Sequence, residues 1–285
     1  MNGVIIVNKA DSITSQKVVN MVKHKFNKKF KVGHYGTLDP KATGVLPIAI
    51  GKATKLFDLM QDKIKVYRAI FRFGVETDTL DSEGKIINQS NVLPTLSDIQ
   101  SVLPSFIGQI KQVPPLYSAN MVNGVRAYDL ARKNVEFELK TKSVYVYKFE
   151  CIKQINNADF LFEIHCGSGT YIRSLCRDLA YALNTYGFMP LLIRTKSGNF
   201  DIQNSISYKE LLQSDNIDKY VMSLNEVLEM PSLNIDDKVA FKFGNGMTII
   251  FNGENGIYKV LNQGNLLGLG SIKNNRLKME IKLDD

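Results

Sequence analysis

One carboxylate in this chain lies in a setting suited to chemistry on a bound substrate. Asp39 is the single acid within residues 33–52, GHYGTLDPKATGVLPIAIGK, where glycines surround it and Pro40 follows it. Glycine lets backbone approach a ligand closely, and a following proline favours an extended Asp39 over a helical one. The pattern fits an acid presented to a substrate. It equally fits a turn that opens a buried strand over residues 45–50.

Two further side chains are candidates to act with this acid. Residues 64–73, IKVYRAIFRF, alternate like a strand, with Tyr67 on the apolar face, where a plain core tyrosine is the alternative. Residues 170–183 predict a helix capped by Thr170, with Arg173 in its first turn. A cation there opposes the helix dipole, and a broken local rule of this kind is typical of functional positions.

The elements that must position these side chains predict an α+β chain. Short alternating runs at residues 247–251, 256–261, 266–272 and 277–283, separated by Gly-Asn and Asn-Gly, predict a small β-domain over residues 233–285. A larger domain would occupy residues 1–230. Its predicted strands and helices cover residues 3–8, 64–73, 137–146, 160–166 and 191–200, and residues 15–30, 96–106, 170–183 and 207–228, respectively.

Composition favours a polyanionic partner. The 285 residues carry a formal net charge of +8, a surplus that promotes association with nucleic acid. Residues 233–285 hold seven Lys/Arg and six Asp/Glu, so we expect the main contact within residues 1–232. Three cysteines without CxxC spacing fit a reduced, cytoplasmic chain. The three scattered histidines predict no metal site, and the N-terminal apolar run, residues 4–7, is too short for a signal sequence or a membrane span.

The segment GHYGTLDPKATGVLPIAIGKATK, residues 33–55, resembles the catalytic segment of the TruB family of bacterial tRNA pseudouridine synthases, which modify uridine 55 in the T-loop of tRNA. The resemblance implies that Asp39 is the catalytic aspartate. It also implies that His34, Gly36 and Thr37 shape its loop and contact the substrate.

Further motifs follow in the family's order. GTYIR, residues 169–173, matches Gly-x-Tyr-Ile-Arg, which implies that Arg173 pairs with Asp39. The resemblance also implies that Tyr67 lies against the target base, where its ring stacks and its hydroxyl can take part in proton transfer. The remaining substrate-contacting positions that it implies are Tyr171, Ile193 as an aliphatic wall, and Asp81 as an acid near the site.

The RNA contacts are implied by an insertion. PPLYSA, residues 114–119, matches the start of a family insertion that grips RNA, here about residues 114–142. Its basic residues interleave with an aromatic, which suits phosphate contact and stacking; an ordinary amphipathic helix is the alternative. The expected contacts are Lys9 near the N-terminus and Arg126, Arg132 and Lys133 within the insertion.

Two motifs depart from the family pattern. The family has a lysine two positions after Ala119, where this chain has Met121. The family's N-terminal motif, Val-Asp-Lys-Pro followed by Gly, keeps Lys9 but is altered around it, with Asn8 and Ala10.

The resemblance also carries a fold and a reaction. The implied fold is the pseudouridine synthase fold, a central mixed, mainly antiparallel sheet flanked by helices, plus a small β-barrel-like PUA domain that binds RNA. The implied reaction breaks the N–C glycosidic bond of uridine and rejoins the base through carbon, without cofactor or metal. Asp39 would act at the sugar as a nucleophile or as a base, with both roles open, while Arg173 keeps it charged.

We expect the T-loop and T-arm of tRNA as the partner, with no membrane contact, no obligatory protein partner and a monomeric chain. Two other functions fit the same features, namely a non-catalytic tRNA-folding chaperone and a guide-RNA-dependent relative of the family. A tyrosine phosphatase loop does not fit, because six residues separate Cys166 from Arg173 where that loop needs five.

Overall fold

The chain combines one large sheet, helices packed on it, and a smaller C-terminal sheet. The computed structural model describes residues 1–61, 63–133 and 135–284. The strands are β1 (Gly3–Lys9), β2 (Val32–His34), β3 (Thr43–Ile50), β4 (Lys65–Phe73), β5 (Val75–Thr77), β6 (Ile86–Gln89), β7 (Gly108–Gln112), β8 (Met121–Val122), β9 (Val125–Arg126), β10 (Lys142–Gln154), β11 (Asp159–Cys166), β12 (Gly187–Ser197), β13 (Phe200–Asp201), β14 (Ile206–Ser207), β15 (Met222–Ser223), β16 (Ser232–Asn234), β17 (Ile249–Ile250), β18 (Gly256–Asn262), β19 (Asn265–Lys273) and β20 (Arg276–Lys282).

The helices of the described residues have between 4 and 11 residues. They are α1 (Ser15–Lys25), α2 (Phe57–Gln61), α3 (Leu96–Val102), α4 (Ala127–Arg132), α5 (Ile172–Ala182), α6 (Tyr208–Gln213), α7 (Leu224–Val227) and α8 (Asp237–Gly244), with 3₁₀ turns at Gly51–Leu56, Leu103–Phe106, Ile202–Asn204 and Asp218–Tyr220. Throughout the described ranges, none of these helices has the length and apolar character required to span a membrane.

The order of the large sheet brings the candidate residues together. The strands run β14-β1-β3-β12-β4-β11-β10-β7, antiparallel except for the pairs β1–β14 and β3–β12. The predicted mixed, mainly antiparallel sheet is confirmed. Strand β12 lies between β3 and β4, and Arg194 on β12 faces Gly44 on one side and Tyr67 on the other. The loop that precedes β3, which carries Asp39, therefore lies beside Tyr67.

Two apolar cores hold the sheet. On one face, α1, α3 and α5 bury residues such as Val22, Ile99 and Leu175 against the phenylalanines of β4, β10 and β11. On the other face, Val4 of β1 packs with Leu224 of α7 and Leu269 of the C-terminal sheet. Burial of apolar area is the main favourable term in folding, so the C-terminal sheet is anchored on the large one by a shared core.

The C-terminal sheet has the strand order β16-β18-β19-β20-β17 in the described residues, around a small core that includes Phe243, Val260 and Ile272. The alternating runs predicted at residues 256–261, 266–272 and 277–283 are strands, as expected. The run at residues 247–251 forms strand only at Ile249–Ile250. Helix α8, capped by Asp236, was not predicted, because eight residues show too little of a helical period.

Four predicted elements differ from the structure. Residues 207–228 are two short helices rather than one, because a 3₁₀ turn and the Ser223 capping box interrupt them. The strand expected from residue 137 begins at Lys142. Helix α1 ends at Lys25 because Asn27 and Lys28 adopt positive φ. Thr170 does not cap α5, since its hydroxyl donates to the Gly167 carbonyl instead.

Candidate active site

Asp39 stands in the loop between β2 and β3, at a pocket of about 250 Å³. Its carboxylate is 40% exposed, whereas the Arg173 side chain beside it is only 6% exposed. The acid is therefore the accessible member of the pair. The lining of the pocket includes Gly36, Thr37, Leu38, Asp39, Lys65, Tyr67, Ser118, Ala119, Tyr171, Ile172, Arg173, Leu192 and Arg194.

Side chains from three elements hold the loop that presents Asp39. On α1, the Ser15 hydroxyl accepts from the Leu38 amide at 2.9 Å and donates to the Leu38 carbonyl at 3.1 Å. On β1, Lys9 donates to the Pro40 carbonyl at 2.8 Å. On β12, Arg194 donates to the Gly36 carbonyl at 3.1 Å. A loop tied at several backbone atoms holds its carboxylate in one place, which is what a reacting group requires.

Arg173 is the centre of the polar contacts in the pocket. Its Nη2 lies 2.9 Å from Asp39 Oδ2, and its Nη1 lies 3.4 Å from Asp81 Oδ2. It also donates to the carbonyls of Thr79 at 2.9 Å and Tyr117 at 3.0 Å. The ion pair predicted between Arg173 and Asp39 is therefore present. The planar guanidinium serves several acceptors at once, which an ammonium cannot do.

Tyr67 is buried next to this pair, on the face of β4 that lines the pocket. Burial raises the pKa of the Tyr67 phenol, and the nearby Arg194 guanidinium only partly opposes that effect. The phenol consequently keeps its proton at neutral pH. The residue offers a ring surface and a hydroxyl donor, rather than a phenolate base.

The other predicted substrate residues divide into two groups. Gly36, Thr37 and Tyr171 line the pocket. Asp81 is only 7% exposed and is absent from the lining. It accepts from the Thr79 hydroxyl at 2.6 Å and lies behind Arg173, so its contact is with the arginine.

His34 lies on β2, beside rather than in the pocket lining. Its Nδ1 is buried and, among the described atoms, has no hydrogen-bond partner. Burial and the charge of Arg194 both lower the pKa of His34. The imidazole is therefore neutral at pH 7.

The structure corrects the prediction for Ile193. Leu192, not Ile193, lines the pocket. Successive side chains of a strand point to opposite faces, so the residue that shares the face of Arg194 is Leu192, two positions earlier. Ile193 is on the other face of β12, opposite Arg68 in register.

The structure also contradicts the prediction that Lys9 contacts RNA. Lys9 is 0% exposed, and its Nζ donates to the carbonyls of Ala10, Ile13 and Pro40 at 2.9, 2.6 and 2.8 Å. Burial lowers the pKa of Lys9 to about 8, which leaves an ammonium at pH 7 with three acceptors for its three protons. Lys9 therefore fixes the backbone around Asp39 and is closed to phosphate.

Sequence reasoning missed Arg194 and Ser15. Arg194 is 1% exposed and Ser15 is 3% exposed, and both hold the Asp39 loop through its backbone. The available signal was a cation at the end of the apolar run LLIR, where a buried strand otherwise excludes charge.

The first residues of the insertion form part of the pocket wall. Ser118 and Ala119 line the pocket, and the Tyr117 carbonyl accepts from Arg173. Further along, the side chains of Arg126 on β9, Arg132 on α4 and Lys133 directly after α4 are exposed. The guanidinium groups of Arg126 and Arg132 lie 5.9 and 5.6 Å from the centre of the Tyr128 ring. A basic, aromatic surface thus follows directly from one wall of the pocket.

Comparisons with known proteins identify the family. Residues 23–172 match the model described as TruB family pseudouridylate synthase (N terminal domain). A protein named tRNA pseudouridine synthase B from Clostridium kluyveri is 40% identical, over 98% of both chains. One of the same name from Caldanaerobacter subterraneus subsp. tengcongensis is 38% identical, also over 98% of both chains.

Among solved structures, an H/ACA RNP bound to a substrate RNA containing 2′-deoxyuridine shares the fold, with a TM-score of 0.72 and 24% identity over 99% of this chain and 85% of that chain. Family model, curated relatives and shared fold agree, and the chain therefore belongs to the TruB family of pseudouridylate synthases, which are isomerases.

Proposed function

We propose that this chain is a tRNA pseudouridine synthase that isomerises uridine 55 of the T-loop, and that Asp39 is its reacting carboxylate. The observation that carries the proposal is the Asp39 side chain, exposed at the pocket and paired with Arg173 at 2.9 Å beside Tyr67. The name of the bacterial relatives, tRNA pseudouridine synthase B, supports tRNA as the substrate.

The proposed reaction is an internal rearrangement of the nucleotide. The bond between C1′ and N1 breaks, and the uracil leaves with the electron pair as a stabilised anion. The base turns within the pocket, C5 bonds to C1′, C5 loses its proton, and N1 gains one. Asp39 acts at the ribose during bond breaking. The target base must first leave its stack, at a cost of about a few kcal/mol.

The pocket residues have distinct roles in this scheme. Arg173 orients the Asp39 carboxylate and balances its charge. Tyr67, which keeps its proton, offers its ring to the base and its hydroxyl as a donor. Leu192 supplies the apolar wall that the motif comparison assigned to Ile193. Gly36, Thr37 and Tyr171 complete the contact surface around the base and sugar.

The chain divides into two domains, and each contributes to RNA binding. Residues 1–230 form the catalytic domain, and within it residues 114–142 grip the RNA through the exposed Arg126, Arg132 and Lys133. Residues 233–285 form an abbreviated PUA-like domain. Its sheet packs against the catalytic domain through Leu269 and Leu283, an attachment that extends the surface available to the tRNA.

We further propose that the chain acts on tRNA in the cytoplasm, as a monomer and without a protein partner. Similarity to bacterial relatives over 98% of both chains favours this form over a guide-RNA-dependent one. An RNA-folding role would use the same basic surface but not the carboxylate. Rescue of tRNA maturation by Asp39→Asn, in cells that lack the wild-type chain, would assign the cellular role to folding.

The direct test uses a tRNA transcript and the purified chain. Carbodiimide labelling followed by reverse transcription should detect pseudouridine at position 55 after incubation with the protein. A matched transcript with cytidine at position 55 should gain none. Absence of pseudouridine at position 55, or its formation at other positions instead, would reject the proposed function.

A further inference from the structure

We infer that Arg194 is a positioning residue, whose guanidinium holds the Asp39 loop in register with Tyr67. The inference rests on the proposed function and concerns a residue that the sequence motifs did not single out. Arg194 lines the pocket but acts through the backbone of the loop.

The contacts of Arg194 lie on both sides of Asp39. Its Nε donates to the Val45 carbonyl at 2.7 Å, its Nη2 to the Gly36 carbonyl at 3.1 Å, and its Nη1 approaches the Thr37 carbonyl at 3.4 Å. The first acceptor follows Asp39 in the chain and the other two precede it. One rigid, planar group therefore ties together the two limbs of the loop that presents the carboxylate.

Arg194 is a costly residue for a purely structural role. It is 1% exposed, and in the described part of the chain no carboxylate lies within ion-pair distance of it. Backbone carbonyls and the Tyr67 hydroxyl accept from it, so dipoles rather than a full negative charge balance the buried guanidinium. An arginine is almost never fully buried unless it is paired. A broken rule of this kind is expected where function requires it.

The backbone around Arg194 is fixed as firmly as its side chain. Gly44, with φ +100°, lies so close that an added Cβ would come within 2.2 Å of the Arg194 carbonyl oxygen. On the other side, Arg194 is in register with Tyr67 of β4. The backbone of Arg194 is thus held between β3, which follows the Asp39 loop, and β4, which carries Tyr67. Its contacts therefore set the position of the loop relative to Tyr67.

The expected effect is on the chemical step rather than on binding. Without the Arg194 contacts, the loop segments before and after Asp39 can shift. A misplacement of about 1 Å at a reacting group costs about 100-fold in rate. The RNA-gripping surface lies in the insertion, away from this contact. We therefore expect Arg194→Lys to lower kcat about 100-fold and to leave KM within about threefold of wild type.

The experiment compares Arg194→Lys, Arg194→Met and wild type by tritium release from tRNA labelled at C5 of uridine. Lysine keeps the charge but cannot span the separate carbonyls, so a positioning role predicts equal losses of kcat in both variants. Recovery of kcat by lysine, or a kcat within about threefold of wild type in either variant, would overturn the inference. An inactive wild type would instead reject the proposed function.

Two further variants separate positioning from general stability. Arg72→Lys removes a bidentate arginine, bonded to Asp159 at 2.6 and 2.7 Å on the same sheet, and should keep the wild-type kcat. Ser15→Ala frees the same loop at Leu38 without removing a charge, and should lower kcat about tenfold with KM unchanged. If the Arg194 variants do not fold, an unchanged kcat in Ser15→Ala overturns the inference.

Discussion

The conservative substitution Arg173→Lys tests how the pocket uses its central cation. The guanidinium serves Asp39 at 2.9 Å, Asp81 at 3.4 Å, and the carbonyls of Thr79 and Tyr117 at 2.9 and 3.0 Å. An ammonium on a single atom cannot reach all four groups. The buried carbonyls compete for it, so Asp39 loses its partner.

The magnitude follows from the lost contact. A hydrogen bond to a charged group contributes about 1.5 to 3 kcal/mol, and each 1.36 kcal/mol of barrier is about tenfold in rate. We expect kcat for Arg173→Lys to fall about 10- to 150-fold, with KM for tRNA little changed. A buried carbonyl left without a donor costs about 1 to 3 kcal/mol of unfolding free energy, so denaturation should also occur earlier.

The chain offers a matched control one helical turn later. Arg177 lies on the same helix, donates to the Val113 carbonyl at 2.9 Å and pairs with Asp178 at 2.7 Å, away from Asp39. Arg177→Lys should lose stability but keep kcat, measured by tritium release from C5-labelled tRNA. Equal kcat values for the two variants, or a loss for Arg173→Lys that is confined to KM, would refute this reasoning.

Three other predictions address the wall, the histidine and the RNA grip. Leu192→Ala should lower kcat/KM about tenfold or more, while Ile193→Ala changes it little, because only Leu192 lines the pocket; equal effects would contradict that assignment. His34 has a lowered pKa, so the unfolded chain binds its proton first as pH falls below about 6.5. Unfolding free energy should therefore fall between pH 7 and 5.5, and His34→Gln should reduce that fall; an unchanged pH dependence would reject the role. Replacing both Arg132 and Lys133 with Gln should weaken tRNA binding and reduce the steepness of log K against log salt by about 1.4 to 1.8; an unchanged slope would place the phosphate contacts elsewhere.

The pairing of Asp39 with Arg173 was predictable because each residue occurs in a local motif. Asp39 and Arg173 are far apart in sequence, yet each lies in a short pattern that the family shares, and the structure brings them within 2.9 Å. Strand alternation predicted Tyr67 on the apolar face of β4, and it is buried there. Its contact with the target base came from the resemblance alone and stays a prediction.

The errors have other origins. The motif placed the apolar wall directly before the arginine, but side chains alternate along β12, so Leu192 and not Ile193 shares the face of Arg194. The other two errors come from tertiary contacts that no local pattern records. The sequence predicts Lys9 as a surface cation at the end of a strand, but in the structure the Asp39 loop covers it and its Nζ donates to the Pro40 carbonyl. Arg194 binds carbonyls that are about 150 positions away in the chain, so only the folded sheet reveals its role.

The central claim is that the exposed Asp39 carboxylate performs the reaction. The most direct measurement is tritium release by Asp39→Asn, which keeps the size and shape of the side chain while removing its charge, alongside a tRNA-binding measurement on the same protein. Turnover should be abolished, and tRNA affinity should stay close to that of wild type, because the basic surface lies in the insertion. Substantial turnover by Asp39→Asn, with pseudouridine at position 55, would contradict this account.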